Sequence, residues 1–218
     1  MAADDRRTAG FLQMIDEMHA RHLVGVADVR QVWLIRHADA YGGLESLAEG
    51  PIDPPLSERG RQQAGLLAAR LATVSLDAVW SSPLRRATET ARAIVNGRPL
   101  DVRTDLRLRE VRTHWDEDRE PQRLPPGSYP FPEPETEVVD RMRAVVAEVV
   151  ADLAGAAGPT PRAAVVTHNA AIAIYVSSLL GLAWGQLRVM PQFTSVSVLA
   201  VKGDRVVVQS IADATHLS

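Results

Sequence analysis

The stretch that decides the fold of this 218-residue chain is Leu34-Ile35-Arg36-His37-Ala38. Apolar residues in the run 31–35 predict a buried strand, and a cation and an imidazole follow where that strand emerges. Ligands of parallel α/β proteins bind beyond the carboxyl ends of such strands. The pair Arg36-His37 is therefore a candidate for chemistry, whereas a second arginine-histidine pair, at residues 21–22, has no strand before it.

Strand-like and helix-like segments alternate from residue 31 onward, which is typical of an α/β protein. The last two predicted strands are separated by Lys202-Gly203-Asp204, which is short enough for a hairpin. The sequence predicts a three-layer α/β/α sandwich with a mostly parallel central sheet and an antiparallel C-terminal strand pair. The predicted strands are 31–35, 77–81, 163–167, 194–201 and 205–209, and the predicted helices are 57–73, 83–95, 136–155 and 169–180.

The composition excludes several classes of function. Because the chain has no cysteine, disulfides, thiolate zinc sites and cysteine nucleophiles are excluded. A net charge of -3 with 46% apolar residues predicts a soluble globular protein and argues against a general nucleic-acid partner. The N-terminal residues show no apolar segment typical of a signal peptide, and no apolar run approaches the ~18 residues of a membrane helix, so we expect a cytoplasmic protein with no membrane partner.

Residues 1–30 are predicted to form an N-terminal helical extension, and residues 31–218 a single domain. Apolar side chains recur at helical spacing at Phe11, Leu12, Ile15 and Met18. A stripe of this kind is more often packed on its own domain than on a partner. A homodimer through this helix stays an open alternative.

A proline-rich segment interrupts the predicted domain at about 109–135. Six of the 14 prolines lie between Pro121 and Pro134, which excludes a regular helix or central strand. A long loop inside a compact domain is uncommon and is either functional or a linker, and Tyr129 and Phe131 are apolar anchors that a solvated linker would not need. We interpret the segment as a substrate loop, with disorder as the competing interpretation.

Histidines follow two of the predicted strands. His37 follows the first strand, and His168 follows the strand 163–167. Either one alone could merely cap a turn, but two at equivalent strand ends favour a site. Asn169 opens the helix after His168, so its backbone N–H and the positive end of that helix can contribute to binding an anion.

Arginine supplies all but one of the 24 Lys and Arg residues, and its planar guanidinium suits a phosphate dianion. Arg36 lies beside the first histidine. Arg86 lies in the first turn of the helix that follows the second predicted strand. Its neighbour Arg85 is an open alternative for the same role.

Together these segments resemble the histidine phosphatase superfamily, the phosphoglycerate mutase-like proteins. The resemblance spans residues 31–218 in the right order, and as a set the segments are specific although no single one is. The segments are Leu34-Ile35-Arg36-His37-Ala38, Pro55-Leu56-Ser57-Glu58-Arg59-Gly60, Ser82-Pro83-Leu84-Arg85-Arg86-Ala87, Leu108-Arg109-Glu110, Val165-Val166-Thr167-His168-Asn169 and Asp213-Ala214-Thr215-His216-Leu217.

The resemblance implies covalent catalysis without a metal or cofactor. Neutral His37 would attack phosphorus and carry the phosphoryl group. The oxygens of that group would be held by Arg36, Arg86 and His168. Glu110 would protonate the leaving alcohol and then take a proton from water, which requires that its pKa be raised in the complex.

The assignment of Glu110 has competitors in the sequence. A salt bridge with Arg109 or Arg112 is the alternative role for this carboxylate. Asp116 and Glu117 are close enough in sequence to act in its place. We leave His216 outside the site, as a C-terminal packing residue.

The chain departs from the family pattern in three places. Ala38 and Asp39 replace the usual Gly and the glutamate beyond it. The asparagine that many members place a few residues later has no clear counterpart in residues 40–43. Asn169 and Ala170 stand where two glycines are common.

The function predicted from the sequence is a metal-independent phosphatase that acts on a small phosphorylated metabolite. Contacts to a second anionic group are predicted from Arg109, Arg112, Arg119 and Arg123. Mutase-type phosphoryl transfer, protein phosphohistidine phosphatase activity and a noncatalytic phosphate-dependent binding module are the alternatives.

Overall fold

A computed structural model describes residues 2–41, 53–113, 125 and 128–218. Within these ranges the helices are α1 (Ala2–Arg21), α2 (Glu58–Leu71), α3 (Arg85–Val95), α4 (Glu135–Asp152) and α5 (Asn169–Leu179). The strands are β1 (Arg30–Arg36), β2 (Ala78–Ser81), β3 (Val102–Thr104), β4 (Arg162–Thr167), β5 (Val196–Lys202) and β6 (Arg205–Asp213). None of the helices described is long and apolar enough to cross a bilayer.

The strands form one mixed sheet in the order β3-β2-β4-β1-β5-β6. Strands β1, β2, β3 and β4 are parallel, and β5 runs antiparallel to both of its neighbours, β1 and β6. The β5–β6 hairpin turns at Gly203, whose φ of +60° suits glycine. The predicted mostly parallel sheet with an antiparallel C-terminal pair is confirmed.

Helices cover both faces of the sheet because the central strands β1, β2 and β4 bury apolar side chains on both sides. One core lies under α4 and α5 and contains Leu34, Val165 and Met142. The other lies under α2 and α3 and contains Ile35 and Val166. Adjacent residues of β1 and of β4 thus point into different cores, which gives the three layers.

Several predicted elements differ from the structure: β6 continues to Asp213, beyond the predicted 209, and α4 ends at Asp152, before the predicted 155. Strand β3, a three-residue edge strand with little burial, has no counterpart among the predicted strands. Strand β5 begins at Val196 and not at 194, because Thr194 has a φ of +59° that an extended strand excludes. Within the predicted extension 1–30, helix α1 ends at Arg21, ahead of Leu23 and Gly25, which both have positive φ.

The expectation that the apolar stripe of α1 packs on its own domain was also wrong. Phe11 is 58% exposed, and Leu12, Met14 and Met18 are exposed as well. The last residues of the helix accept hydrogen bonds from Arg205 of β6, and apolar packing on the domain begins after the helix, where Leu23 and Val29 pack with Ala200 of β5. The division at residue 30 and a homodimer through α1 remain predictions.

Candidate functional site

The register of two parallel strands brings the predicted histidines together. Arg36 pairs with Thr167 across β1 and β4, so His37 and His168 leave the sheet side by side. The amide of His37 donates to the carbonyl of Thr167 at 3.0 Å. The ring centroids of the two histidines are 5.0 Å apart. The carboxyl edge of the sheet therefore holds both imidazoles in one buried group.

The partners of His37 determine which of its ring nitrogens carries the proton. Nδ1 lies 2.7 Å from the carbonyl oxygen of Ala38, which can only accept. Nε2 lies 3.2 Å from Nε of Arg86, which can only donate. The proton is therefore on Nδ1, and the lone pair of Nε2, which accepts from Arg86, is the candidate for attack.

Burial keeps His37 neutral. The side chain is 2% exposed, and burial, followed by the positive charge of Arg86, lowers its pKa to about 3. The hydrogen bond to Ala38 opposes this shift only in part. At neutral pH the ring is an uncharged nucleophile.

The first turn of α3 resolves the choice between two adjacent arginines. Arg86 is 4% exposed and contacts His37, and its Nη1 lies 3.6 Å from Asp53. Arg85 is exposed and its guanidinium pairs with Glu89 at 3.8 Å. The helix thus turns Arg86 into the site and Arg85 out of it.

Arg36 is held at the edge of the same group by the segment before β5. Its Nη1 donates to the carbonyl of Pro191 at 2.8 Å, and its guanidinium carbon lies 3.9 Å from the ring centroid of Phe193. Its Nε is buried and makes no hydrogen bond to any described residue. A buried donor without a partner is costly, so this N–H is available to a ligand.

His168, like Arg36, has one nitrogen with a hydrogen-bond partner and another without one among the described residues. Nε2 lies 2.9 Å from Oγ of Ser82, whereas Nδ1 is buried with no partner among the described residues. Burial lowers the pKa of His168 well below its ordinary value, and the nearby His37 and Arg86 add to that shift. A hydroxyl proton donated by Ser82 to Nε2 would leave Nδ1–H free to bind an anion.

Glu110 lies against the N-terminus of α5. Its Oε1 accepts from the amides of Val111 at 2.9 Å and Ala171 at 3.2 Å, and its Oε2 accepts from Ala170 at 3.4 Å. Burial raises the pKa of this carboxyl, although the three amides oppose the shift. Since Oε1 already accepts two hydrogen bonds, Oε2 is the atom free to carry a proton.

The backbone around Glu110 is anchored by α4 and by the segment before it, a connection that the sequence analysis missed. Arg141 donates to the carbonyls of Arg107 and Arg109, and buried Glu133 accepts from the amide of Arg112. Arg141 and Glu133 are themselves paired at 2.7 Å. An arginine and a glutamate eight residues apart are common in protein sequences, so their spacing alone did not indicate this anchoring role.

Asn169 begins α5 as predicted, but two amides of that turn are occupied by Glu110. The buried side-chain Oδ1 of Asn169 has no hydrogen-bond partner among the described residues. Because Oδ1 can only accept, the anion contact expected at this helix end is limited to the backbone N–H of Asn169.

The loop after His37 is fixed by close backbone contacts. Asp39 accepts from the hydroxyl of Ser57 and from the amide of Tyr41, and its own amide donates to Gln63. A Cβ on Gly60 would lie 1.9 Å from the carbonyl oxygen of Asp39. Only glycine permits this approach of α2 to the loop.

A cleft of about 750 Å³ opens beside the histidines. Its described lining includes Tyr41, Arg86 and Glu110, with Arg109 and Arg112 at the exposed side. A larger cavity of about 900 Å³ lies near residues 22–31 and contains none of the predicted site residues.

Four predicted candidates, Asp116, Glu117, Arg119 and Arg123, lie outside the described residues. Among the residues that the structure describes, no three histidines or carboxylates are grouped as a metal site would require.

These features define an α/β protein whose sheet edge carries two buried histidines, two arginines and a half-buried glutamate. The chain belongs to the histidine phosphatase superfamily (branch 1), whose family model matches residues 32–214. The resemblance seen in the sequence is confirmed.

Relatives and solved structures agree with this assignment. The probable phosphoglycerate mutase GpmB of Cronobacter sakazakii is 31% identical over 208 residues, which cover 86% of this chain and 94% of the relative. Mycobacterial glucosyl-3-phosphoglycerate phosphatase is 28% identical with a TM-score of 0.68, over 84% of this chain and 98% of that one. YhfR of Bacillus stearothermophilus is 25% identical with a TM-score of 0.69, over 87% of this chain and 100% of that one.

Proposed function

We propose that this chain is a phosphatase that hydrolyses a small phosphorylated metabolite through a phosphohistidine on His37. The observation that carries the proposal is the state of His37: it is buried and neutral, and its unprotonated Nε2 faces Arg86. Two buried nitrogens nearby, Nε of Arg36 and Nδ1 of His168, have no described partner. A nucleophile surrounded by unused donors suits a phosphoryl group.

In the first step, the lone pair of Nε2 attacks phosphorus and the bond from phosphorus to the leaving oxygen breaks. Arg86 gives up its hydrogen bond to Nε2 and donates to the phosphoryl oxygens. The charge that develops on the imidazole is stabilised by the hydrogen bond from Nδ1 to Ala38. Protonated Glu110 gives its proton to the leaving oxygen, and an alcohol departs.

In the second step, water attacks the phosphorus of phosphohistidine. The Glu110 carboxylate takes a proton from this water, the nitrogen–phosphorus bond breaks, and its electron pair returns to Nε2. The products are inorganic phosphate, neutral His37 and protonated Glu110. The raised pKa of Glu110 suits a group that alternates between acid and base.

For the substrate, we propose a phosphomonoester with a second anionic group. Arg109 and Arg112 line the exposed side of the cleft that contains Glu110. The guanidinium of Arg112 pairs with Glu137 at 3.3 Å, where both side chains are exposed, so a substrate anion can compete for it at little cost. A phosphorylated carboxylic acid of the kind named for the mycobacterial relative fits this charge pattern.

A screen of phosphomonoesters with chelator present tests the proposal. The wild type is expected to release phosphate and to form an acid-labile, base-stable phosphoprotein when it is quenched during turnover. His37→Asn should lose both, with an unchanged circular dichroism spectrum as the check on folding. Binding of phosphomonoesters without turnover by the wild type would instead identify a noncatalytic module.

Mutase-type phosphoryl transfer is the second candidate, and the name of the Cronobacter sakazakii relative favours it. The chemistry on His37 is the same, but the phosphoryl group returns to substrate in place of water. Incubation with 3-phosphoglycerate separates the two functions. Free phosphate indicates hydrolysis, whereas 2-phosphoglycerate without phosphate release indicates a mutase.

Protein phosphohistidine phosphatase activity requires less help from an acid, because its leaving group is a nitrogen. The hydrogen bonds that hold Glu110 against α5 argue for an alcohol leaving group. Equal cleavage of a phosphohistidine peptide by wild type and Glu110→Gln, with no cleavage of phosphomonoesters, would support that alternative.

A further inference from the structure

Thr194 lies against the backbone of Arg36 and His37, at the end of β1, and has a strained conformation. Its φ is +59° and its side chain is fully buried, a combination that is rare for a β-branched residue. Its amide donates to the carbonyl of Arg36 at 3.0 Å and lies 3.4 Å from that of His37. Contacts around Thr194 must therefore maintain this conformation.

The C-terminal turn supplies such a contact through His216. Nε2 of His216 lies 2.9 Å from Oγ1 of Thr194, and that hydroxyl lies 2.7 Å from the carbonyl of Phe193. Since the carbonyl can only accept, Thr194 donates to Phe193 and accepts from His216. The imidazole and the hydroxyl thus form a directed chain of two hydrogen bonds.

An ion pair behind His216 fixes the proton on the required nitrogen. Nη1 of Arg70 lies 3.1 Å from Nδ1 of His216 and can only donate. The same guanidinium is held by Asp213, with Nη2 2.5 Å from Oδ2. Nδ1 is therefore the acceptor, and the proton of His216 is on Nε2, facing Thr194.

The hydrogen-bonded chain that begins at His216 ends beside Arg36, a residue that we propose to bind phosphate. The ring of Phe193 lies under the guanidinium of Arg36, and Pro191 accepts a hydrogen bond from it at 2.8 Å. Residues 191–194 thus hold Arg36 from two directions. The position of this segment depends on the backbone at Thr194.

We propose that His216 is a positioning residue for Arg36, acting through Thr194 and Phe193. The inference rests on the proposed function, because it gives the turn Thr215–Leu217 a role in phosphate binding. His216 touches neither substrate nor reacting atoms. Its effect is to hold the segment that orients Arg36.

Two substitutions of His216 separate the hydrogen bond to Thr194 from the contact with Arg70. His216→Gln places an amide donor at the same bond distance from Cβ as Nε2, whereas His216→Asn places its amide only at the distance of Nδ1. His216→Asn is expected to lower kcat/KM and to weaken inhibition by orthovanadate, each by about tenfold. His216→Gln should stay within about threefold of wild type.

A double-mutant cycle separates positioning from general destabilisation. In an Arg36→Ala background, His216→Asn is expected to cause less than a twofold further loss of kcat/KM. Multiplicative losses in the double mutant would overturn the proposal. Equal activity of His216→Asn and wild type would also overturn it, as would equal losses in His216→Asn and His216→Gln.

One readout does not depend on catalysis. The amide of Thr194 should exchange with solvent faster in His216→Asn than in His216→Gln, and an equal rate would contradict the chain of contacts. If the wild type hydrolyses no phosphomonoester, the proposed function fails, and this exchange experiment still tests the contact to Thr194.

Discussion

Nε of Arg86 lies 3.2 Å from Nε2 of His37, so a cation donates to the very nitrogen that we propose as the nucleophile. This contact has two consequences: it keeps the proton on Nδ1, and it disfavours a positive charge on the ring. The same arginine that would bind phosphate therefore prepares His37 before substrate arrives.

The first prediction concerns the tautomer and the pKa of His37. Nitrogen-15 spectra of the imidazole should show Nδ1 protonated and Nε2 unprotonated at neutral pH. Arg86→Gln should raise the pKa of His37 from about 3 toward its ordinary value, because it removes the positive charge while burial remains. Protonation on Nε2, or an unchanged pKa in the variant, would contradict the assignment.

Stability should depend on pH through the buried histidines. His37 and His168 have lower pKa values in the folded chain than in the unfolded chain. Below about pH 6.5 the unfolded state therefore binds protons that the folded state does not, and the free energy of unfolding falls as pH falls.

The expected slope is about 1.4 kcal/mol per pH unit for each buried histidine. Urea unfolding at pH 7, 6 and 5 measures it, and comparison of variants cancels the opposing contribution of Glu110, whose pKa is raised in the folded chain. The slope for His37→Asn should be smaller by about 1.4 kcal/mol per pH unit, which corresponds to one proton. An equal slope in that variant would exclude His37 as a contributor.

Neighbouring arginines on α3 provide a matched pair of variants. Arg86→Ala should lower kcat/KM by about 10²- to 10³-fold, because it removes a buried donor to the phosphoryl oxygens. Arg85→Ala should change kcat/KM by less than about threefold, since its guanidinium is exposed and pairs with Glu89. Similar losses in both variants would refute the assignment of Arg86.

Dependence on the leaving group tests Glu110. Glu110→Gln should lower kcat by about 10²- to 10⁴-fold for an alkyl phosphate, because the alkoxide leaves without a proton. The loss should be much smaller for p-nitrophenyl phosphate, whose leaving group is a weak base. Equal losses for both substrates would assign Glu110 to binding.

Two glycines of α2 differ in what lies beside them. Gly60→Ala should destabilise the fold by about 2 kcal/mol or more, because a Cβ would lie 1.9 Å from the carbonyl oxygen of Asp39. Gly65→Ala has open space around it and should stabilise the helix by about 0.5–1 kcal/mol. Chemical denaturation measures both, and destabilisation by Gly65→Ala would contradict the comparison.

The sequence was informative about features that depend on residues close together in the chain. A buried strand ends where apolar residues give way to polar ones, so the strand ends at His37 and His168 could be predicted from composition along the chain. The turn at Lys202-Gly203-Asp204 is also local, and it is confirmed. In these cases the deciding contacts lie within a few residues of each other.

Tertiary structure decided what depends on residues far apart in the chain. The proton on Nδ1 of His37 follows from Arg86, 49 residues away. Nor could spacing reveal the contact of His216 with Thr194, because it requires the left-handed φ of Thr194 and the antiparallel return of β6.

By itself, then, the sequence determined the α/β class and the residue types at the sheet edge. Only the folded chain decided which nitrogen is free, which of two arginines enters the site and what holds Arg36. The physical reason is that hydrophobic periodicity is a local property, whereas hydrogen-bond direction and burial depend on which distant elements meet.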